Sequence, residues 1–392
     1  MMEATPPNTP KVRLHYMDNL RALAMMAGVL FHCALAYSPF LQDVWLTADI
    51  SKSSVVDVFA FFMHLFRMPL FFVVAGFFAA LLVERRGLRA MIINRSKRIL
   101  LPFVIFLPLC TVAVIGLSLW ALGVVENRST VLERVYQATM HPTEDNQMPI
   151  STMHLWFLYM LMYFYCIYGL VSRFVPASSR AAFISIKPRI MIVSVFFILL
   201  LCFFVTSAPH STPESLKPNI WSMSLYGTFF GFGVWFYFNS EYLETLKRYW
   251  LLLLIVSILV YAVLFFLFPE KAVSRASLQV DYTFKHAFLA ILETIVSLSM
   301  TLTCMYLGYR YLSQRNRVLA FISDSSYWVY LIHIPIIFAI QYPLMDRNWG
   351  VVNEFMLTTL LTLIVCFSSY ILFVRWTPVG LLLNGKRRPF LR

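Results

Sequence analysis

The stretch Asp18-Asn19-Leu20-Arg21-Ala22-Leu23-Ala24-Met25-Met26-Ala27-Gly28-Val29-Leu30-Phe31-His32-Cys33-Ala34-Leu35-Ala36-Tyr37-Ser38-Pro39-Phe40 decides the fold. Past the Asp18 and Arg21 at its mouth it is apolar except for His32, and about 20 such residues let an α-helix cross a bilayer. Nine more apolar runs follow, so ten segments are expected: Leu20–Phe40, Val55–Val83, Ile99–Leu122, His154–Val171, Ile190–Thr206, Trp221–Phe238, Tyr249–Phe268, His286–Leu307, Val318–Gln341 and Phe355–Val374. The sixth is short and carries Gly227, Gly231 and Gly233. The whole composition agrees: of 392 residues 60% are hydrophobic and 13% charged, whereas soluble domains carry about 25% charge. A soluble fold, disorder, collagen and a disulfide scaffold are excluded, and residues 1–392 are expected to form one all-α, polytopic membrane helix bundle of about ten transmembrane helices.

The net charge of +13 first suggests nucleic acid, but its distribution says otherwise. Tails 1–19 and 376–392 with Arg375 and the even-numbered loops hold 22 Lys and Arg, the odd-numbered loops hold eight, and Arg21 and Arg67 lie inside segments. By the positive-inside rule both termini are cytoplasmic, so the charge reports topology and the partners are membrane lipids, with no nucleic acid. Lys11 and Arg13 ahead of an apolar run ending in Ala34-Leu35-Ala36 mimic a secretory signal. The run continues to Phe40 with charges at its mouth, so a retained first helix is expected. Cys33, Cys110, Cys166, Cys202, Cys304 and Cys366 all fall in apolar runs without a CxxC spacing and read as packing thiols. No metal site is expected.

Ionisable groups at membrane depth are costly and mark functional candidates. Arg21 and His32 are eleven residues apart, which returns them to one helix face within about 20° and separates them by about 17 Å in depth. Asp18, three residues before Arg21, can pair with it. His64 and Arg67 lie on the second segment, Arg67 about 18 Å below its start at Val55. Arg95 and Arg98 share a face at the base of the third, and guanidinium forks match phosphate oxygens. A plain positive-inside anchor explains such an R-x-x-R equally well. His154, Glu293, Tyr330 and His333 fall at mid-depth or toward the outer side, with His286 at the rim. Packing histidines and structural ion pairs are the competing explanation for each. The arrangement places phosphate-type groups inward and acid–base groups deep or outward, as a ligand with an anionic cytoplasmic end and a buried reacting end requires.

Four motifs in order resemble the acyltransferase-3 family of membrane acyltransferases: Asp18-Asn19-Leu20-Arg21 with His32, Phe71-Phe72-Val73-Val74-Ala75-Gly76-Phe77, Arg95-x-x-Arg98 before Pro102, and Tyr330-Leu331-Ile332-His333. Within it, His64-Leu65-Phe66-Arg67-Met68-Pro69-Leu70-Phe71-Phe72 and His154-Leu155-Trp156-Phe157-Leu158 are similar to a branch associated with succinylation of osmoregulated periplasmic glucans. From about Arg173 to Arg317 only hydropathy matches. The resemblance implies an inner-membrane enzyme moving an acyl group, succinyl in that branch, from acyl-CoA as co-substrate to a glucan or other envelope glycan, with no tightly bound cofactor. His32 is the expected general base, Arg21, Arg95 and Arg98 the phosphate ligands, and Arg67, His154, Glu293 and His333 the candidates for oxyanion or acceptor contacts. Asp18, His64 and Tyr330 are expected to support them. O-acyl transfer to another envelope polysaccharide is the alternative, and a transporter a further one, although no internal repeat accompanies it.

Overall fold

A computed structural model describes residues 15–142, 151–268, 280, 282–314 and 316–385; parts of both tail segments, 1–14 and 386–392, lie outside them. The described residues are helical, with no strand among them. In chain order the helices are α1 His15–Ala34, α2 Ser54–Arg95, α3 Leu101–Val124, α4 Thr130–Met140, α5 Trp156–Phe174, α6 Ala177–Ile184, α7 Pro188–Phe204, α8 Ile220–Phe238, α9 Leu243–Leu246, α10 Trp250–Leu267, α11 Phe284–Tyr311, α12 Arg317–Gln341, α13 Val351–Ser369 and α14 Pro378–Asn384.

Each of the ten expected segments falls on a long helix, but membrane crossing is more sparing. Among the described residues seven helical runs are long and apolar enough to span a bilayer, or eight if the pair α6–α7, bent by 95°, is one span. Two features separate this from the expectation of about ten. Ser54–Val124 counts as a single run of 71 residues, yet it is broken at Gly87 (φ 78°) and by a π-helical turn at Ser96–Leu100. Its two limbs also run oppositely: α2 lies antiparallel to α1, with His64 beside Phe31 and Arg67 beside Gly28, while α3 tracks α12 through Cys110–Leu331 and Ser118–Tyr342 contacts. The second feature is α8, whose glycines and hydroxyls dilute its hydropathy. It is nevertheless central, packed on α2 so closely that a Cβ on Gly76 would strike the Phe230 carbonyl and one on Gly233 that of Val73. Small residues that bring backbones together are how membrane helices associate without a hydrophobic driving force. Helices α4, α6, α9 and α14, all short, were not visible as apolar runs.

The site is positioned by α1 and α12, which run parallel and are tied along their length. Arg21 Nη2 donates to Ser323 Oγ (3.4 Å), His32 and His333 pair at 2.9 Å, and Gln341 Nε2 donates to the Cys33 carbonyl (3.0 Å). Between the first two ties lie eleven residues of α1 and ten of α12, about 15–17 Å of helix. Helix α5 runs antiparallel to both, bringing His154 to the His32 end and Tyr165 to the Arg21 end. At the His32 end the chain after α1 folds over the bundle. Thr47 Oγ1 donates to Gln341 Oε1 (2.7 Å), and Ser129 Oγ and Thr130 Oγ1 bind the Leu46 carbonyl and Asp43, each at 2.7 Å.

Candidate active site

Two clusters occupy opposite ends of the α1–α12–α5 unit. At one end the guanidinium groups of Arg95, Arg21 and Arg86 lie close enough to that of Arg98 to repel it. Asp18 stands 3.7 Å from Arg21 Nη2, with Arg21 43% exposed, so this pair offsets little of the repulsion. Arg95 lies over the Tyr165 ring with its Cζ 4.7 Å from the centroid, and the Tyr327 hydroxyl donates to the Arg98 carbonyl at 2.7 Å. Several cations gathered at one end make an anion site that tolerates more than one negative charge.

At the other end His32, His64, Arg67, His154, Tyr330 and His333 converge. Here geometry fixes where the protons sit. Nδ1 of His333 faces the backbone carbonyls of Tyr330 (2.8 Å) and Val329 (3.1 Å), the i−3 and i−4 residues of its own helix. Carbonyls only accept, so Nδ1 carries the proton and Nε2 of the neutral ring is a lone pair. His32 Nδ1, 2.9 Å from that Nε2, must then donate. The other nitrogen of His32 is thereby left as a base, with no hydrogen-bond partner among the described residues, and it is not among the sealed atoms. His154 is held similarly: its Nε2 donates to the Leu331 carbonyl (3.2 Å), and the Tyr330 hydroxyl donates to its own carbonyl (2.7 Å). Its ring meets His333 edge to face at 5.0 Å.

Arg67 is 5% exposed. Its Cζ lies 4.4 Å from the Phe31 ring centroid, and its Nη1 would be 3.3 Å from a Cβ at Gly28. The glycine, one turn before His32, therefore gives the guanidinium room against α1. Nε and Nη1 are buried and bind no protein acceptor, and no carboxylate pairs with Arg67 among the described residues. A buried cation without a counter-charge costs several kcal/mol, and the guanidinium lies within electrostatic reach of the His32 ring, where its positive potential would stabilise a carbonyl oxygen gaining charge.

Two participants were not singled out from the sequence. Trp45, in the segment after α1, stacks on His32 at 5.9 Å and 9°, with its indole N–H buried and unpartnered. His210, between α7 and α8, lies 4.5 Å from His64 ring to ring, and its carbonyl accepts from His64 Nε2 at 3.0 Å. It also joins Glu293 to the group: His210 Nδ1 is 3.7 Å from Glu293 Oε1, and Glu293 is fully buried. Glu293 thus sits behind His64 and not beside His32. His286 stays at the rim, donating to the Phe204 carbonyl at 2.8 Å. No group of three or more His, Cys, Asp or Glu side chains among the described residues is arranged to hold a metal. An unmatched histidine in a short loop and a tryptophan after the first helix were the only signals available for these two.

A base oriented by a second histidine, unfilled donors beside it and an anion site about 17 Å away along the same helix suit transfer of a group carried on a long anionic donor. A family model described as an acyltransferase domain matches residues 14–373. Glucans biosynthesis protein C of Escherichia coli strain SMS-3-5 / SECEC is 34% identical over 102 residues, 26% of this chain and 26% of that protein. The protein of the same name from strain K12 is 33% identical over 102 residues, with the same coverage. The matched region spans about a quarter of the length of these curated relatives. No solved structure matches the chain. With its family model covering nearly all of the sequence, the chain belongs to the acyltransferase-3 family of membrane acyltransferases.

Proposed function

We propose that this protein is an inner-membrane O-acyltransferase that moves a succinyl group from acyl-CoA at the cytoplasmic face to a hydroxyl of osmoregulated periplasmic glucan. Arg21, Arg95 and Arg98 hold the donor's phosphates, and its pantetheine arm, roughly 15–20 Å long, reaches along α1 over the distance set by about eleven helical residues. His32 Nε2 takes the proton of the glucan hydroxyl as its oxygen attacks the thioester carbonyl. His333 Nε2 accepts from the far side of the imidazolium, and the Arg67 N–H groups stabilise the oxyanion. As the C–S bond breaks, the proton on His32 passes to the departing thiolate, so ester and free thiol are the products and charge balances. The single observation that carries this reading is the directed His333–His32 pair, which leaves a lone pair on His32 Nε2. The glucan acceptor follows the relatives' name, and the succinyl donor follows the likeness of residues 64–72 and 154–158 to the glucan branch.

The test is His32→Ala in lipid nanodiscs, followed by thiol release from succinyl-CoA and by ester formed on glucan. Loss of both in a protein that remains monodisperse supports the reading; retained transfer removes His32 from the chemistry. In cells lacking the gene, periplasmic glucan should lose its anionic fraction on ion exchange.

A further inference from the structure

A large cavity among the described residues has no histidine in its lining. It is a groove of about 730 Å³ between α5, α6 and α8, and its lining runs along α8 from Ile220 to Phe238. Eighteen helical steps are about 27 Å, close to the roughly 30 Å of a bilayer's hydrocarbon core. The walls are apolar for most of that length, with Ile167, Val171 and Phe183 among them. Gly231 keeps the groove open, since a Cβ there would meet nothing within 4 Å. At the end nearer the basic cluster the lining changes character: Glu84 and Arg180 both line the mouth, with Ser172 and Ser179. The Tyr168 phenol lies within electrostatic reach of both charges, yet neither forms an ion pair with any described residue.

We propose that this groove is a binding site for a phospholipid with a primary ammonium headgroup, its phosphate on Arg180, its ammonium on Glu84 and an acyl chain along α8. The charge pattern selects the headgroup. A carboxylate and a guanidinium at one mouth, not paired with each other, complement a molecule that carries both signs a few bonds apart. A purely anionic headgroup satisfies Arg180 and is repelled by Glu84. A quaternary ammonium matches the charge but has no N–H to donate, losing the charge-assisted hydrogen bond that a primary ammonium makes with a carboxylate. The apolar length exceeds one leaflet, about half of the core thickness, so an acyl chain fits within it. None of these residues belongs to the site around His32, so this assignment stands apart from the acyl-transfer reading.

Native mass spectrometry of the full chain, exchanged into equal amounts of phosphatidylethanolamine, phosphatidylglycerol and phosphatidylcholine with identical chains, reads the occupant directly. The expected result is retention of phosphatidylethanolamine at least fivefold above the other two. Glu84→Gln should reduce that preference to twofold or less, and Arg180→Ala should lower retention of all three. Gly231→Leu, which fills the groove without touching either charge, should displace the lipid whatever its headgroup. Equal retention of the three lipids by the wild type overturns the proposal. So does an ethanolamine preference unchanged in both charge variants, or full retention in Gly231→Leu. Monodisperse elution and an unchanged melting temperature distinguish lost lipid from lost fold.

Discussion

His333→Phe is the perturbation that bears most directly on the proposed chemistry. It keeps an aromatic ring at this position in α12 and removes one atom's function, the acceptor 2.9 Å from His32 Nδ1. In the resting enzyme that bond is neutral and worth about 1 kcal/mol, but once His32 is protonated it becomes charge-assisted and worth about 1.5–3 kcal/mol. Only the increase on forming imidazolium lowers the barrier, about 0.5–2 kcal/mol, so kcat should fall by about 2- to 30-fold at 1.36 kcal/mol per decade. His32→Ala removes the base itself and should cost about 10²–10⁴. Because His333 acts through His32, the double variant should be no slower than His32→Ala alone. Single-turnover thiol release in nanodiscs, with saturating donor and glucan, gives all four rates. Additive losses, or a His333→Phe rate within twofold of wild type, would refute the directed histidine pair.

Four other outcomes follow from the same geometry. Arg95→Ala and Arg98→Ala should each weaken acyl-CoA binding about tenfold and flatten its dependence on ionic strength; unchanged calorimetric titrations would make them plain topology anchors. Trp45→Ala uncovers the stacked face of His32, so acceptor-free hydrolysis of acyl-CoA should rise relative to transfer while Trp45→Phe preserves the ratio, and a constant ratio in both variants counts against a covering role. Arg67→Met should slow succinyl and acetyl donors alike if the guanidinium serves the oxyanion, whereas a loss confined to succinyl-CoA assigns it to the donor's distal carboxylate. Burial pushes the Asp49 carboxyl up to about 7 against the opposing Ser51 N–H, with the Glu354 carboxyl adding to the rise. The folded state therefore holds a proton that the unfolded chain releases near 4, and stability falls as pH climbs between those values. The melting temperature of wild type minus that of Asp49→Asn should drop from pH 5 to pH 8; a constant difference refutes it.

What the sequence disclosed follows what periodicity can carry. The Arg21–His32 spacing fixes a shared helix face through local geometry alone, and α12 meets that face at both ends. Apolar length located the long helices because hydrocarbon thickness sets a minimum that shorter runs fail. It could not separate lipid-facing helices from α8, whose Phe229, Phe230 and Trp235 are buried and whose Gly233 packs on Val73 of α2, since burial in protein and burial in lipid demand the same side chains. Chain reversal was equally hidden: Gly87 is one glycine in a basic stretch, and only its positive φ shows that α2 breaks there. Trp45 and His210 lie in connecting segments, where position depends on tertiary hydrogen bonds such as Thr47 to Gln341. The family motifs cover His32, Arg95, Arg98 and His333 but say nothing about which nitrogen bears a proton. That required the Tyr330 carbonyl.

The bundle contains two buried ionisable groups of opposite sign that a purely structural design would have joined. Among the described residues Arg67 has no carboxylate partner, and Glu293 has only His210 as an ionisable partner, 3.7 Å away, though Arg67 and Glu293 would relieve each other's desolvation. They are kept apart by intervening aromatic rings: Phe31 lies under Arg67 and against His64, and His64 stands next to His210, which faces Glu293. Were Glu293 to reach Arg67, the guanidinium donors would be filled and its positive potential cancelled beside His32, the place where the transition state develops negative charge. Holding the carboxylate behind two histidines keeps it from neutralising Arg67. Under the proposed chemistry the separation serves the site, and the cost of the unpaired Arg67 charge is offset when substrate brings negative charge to it.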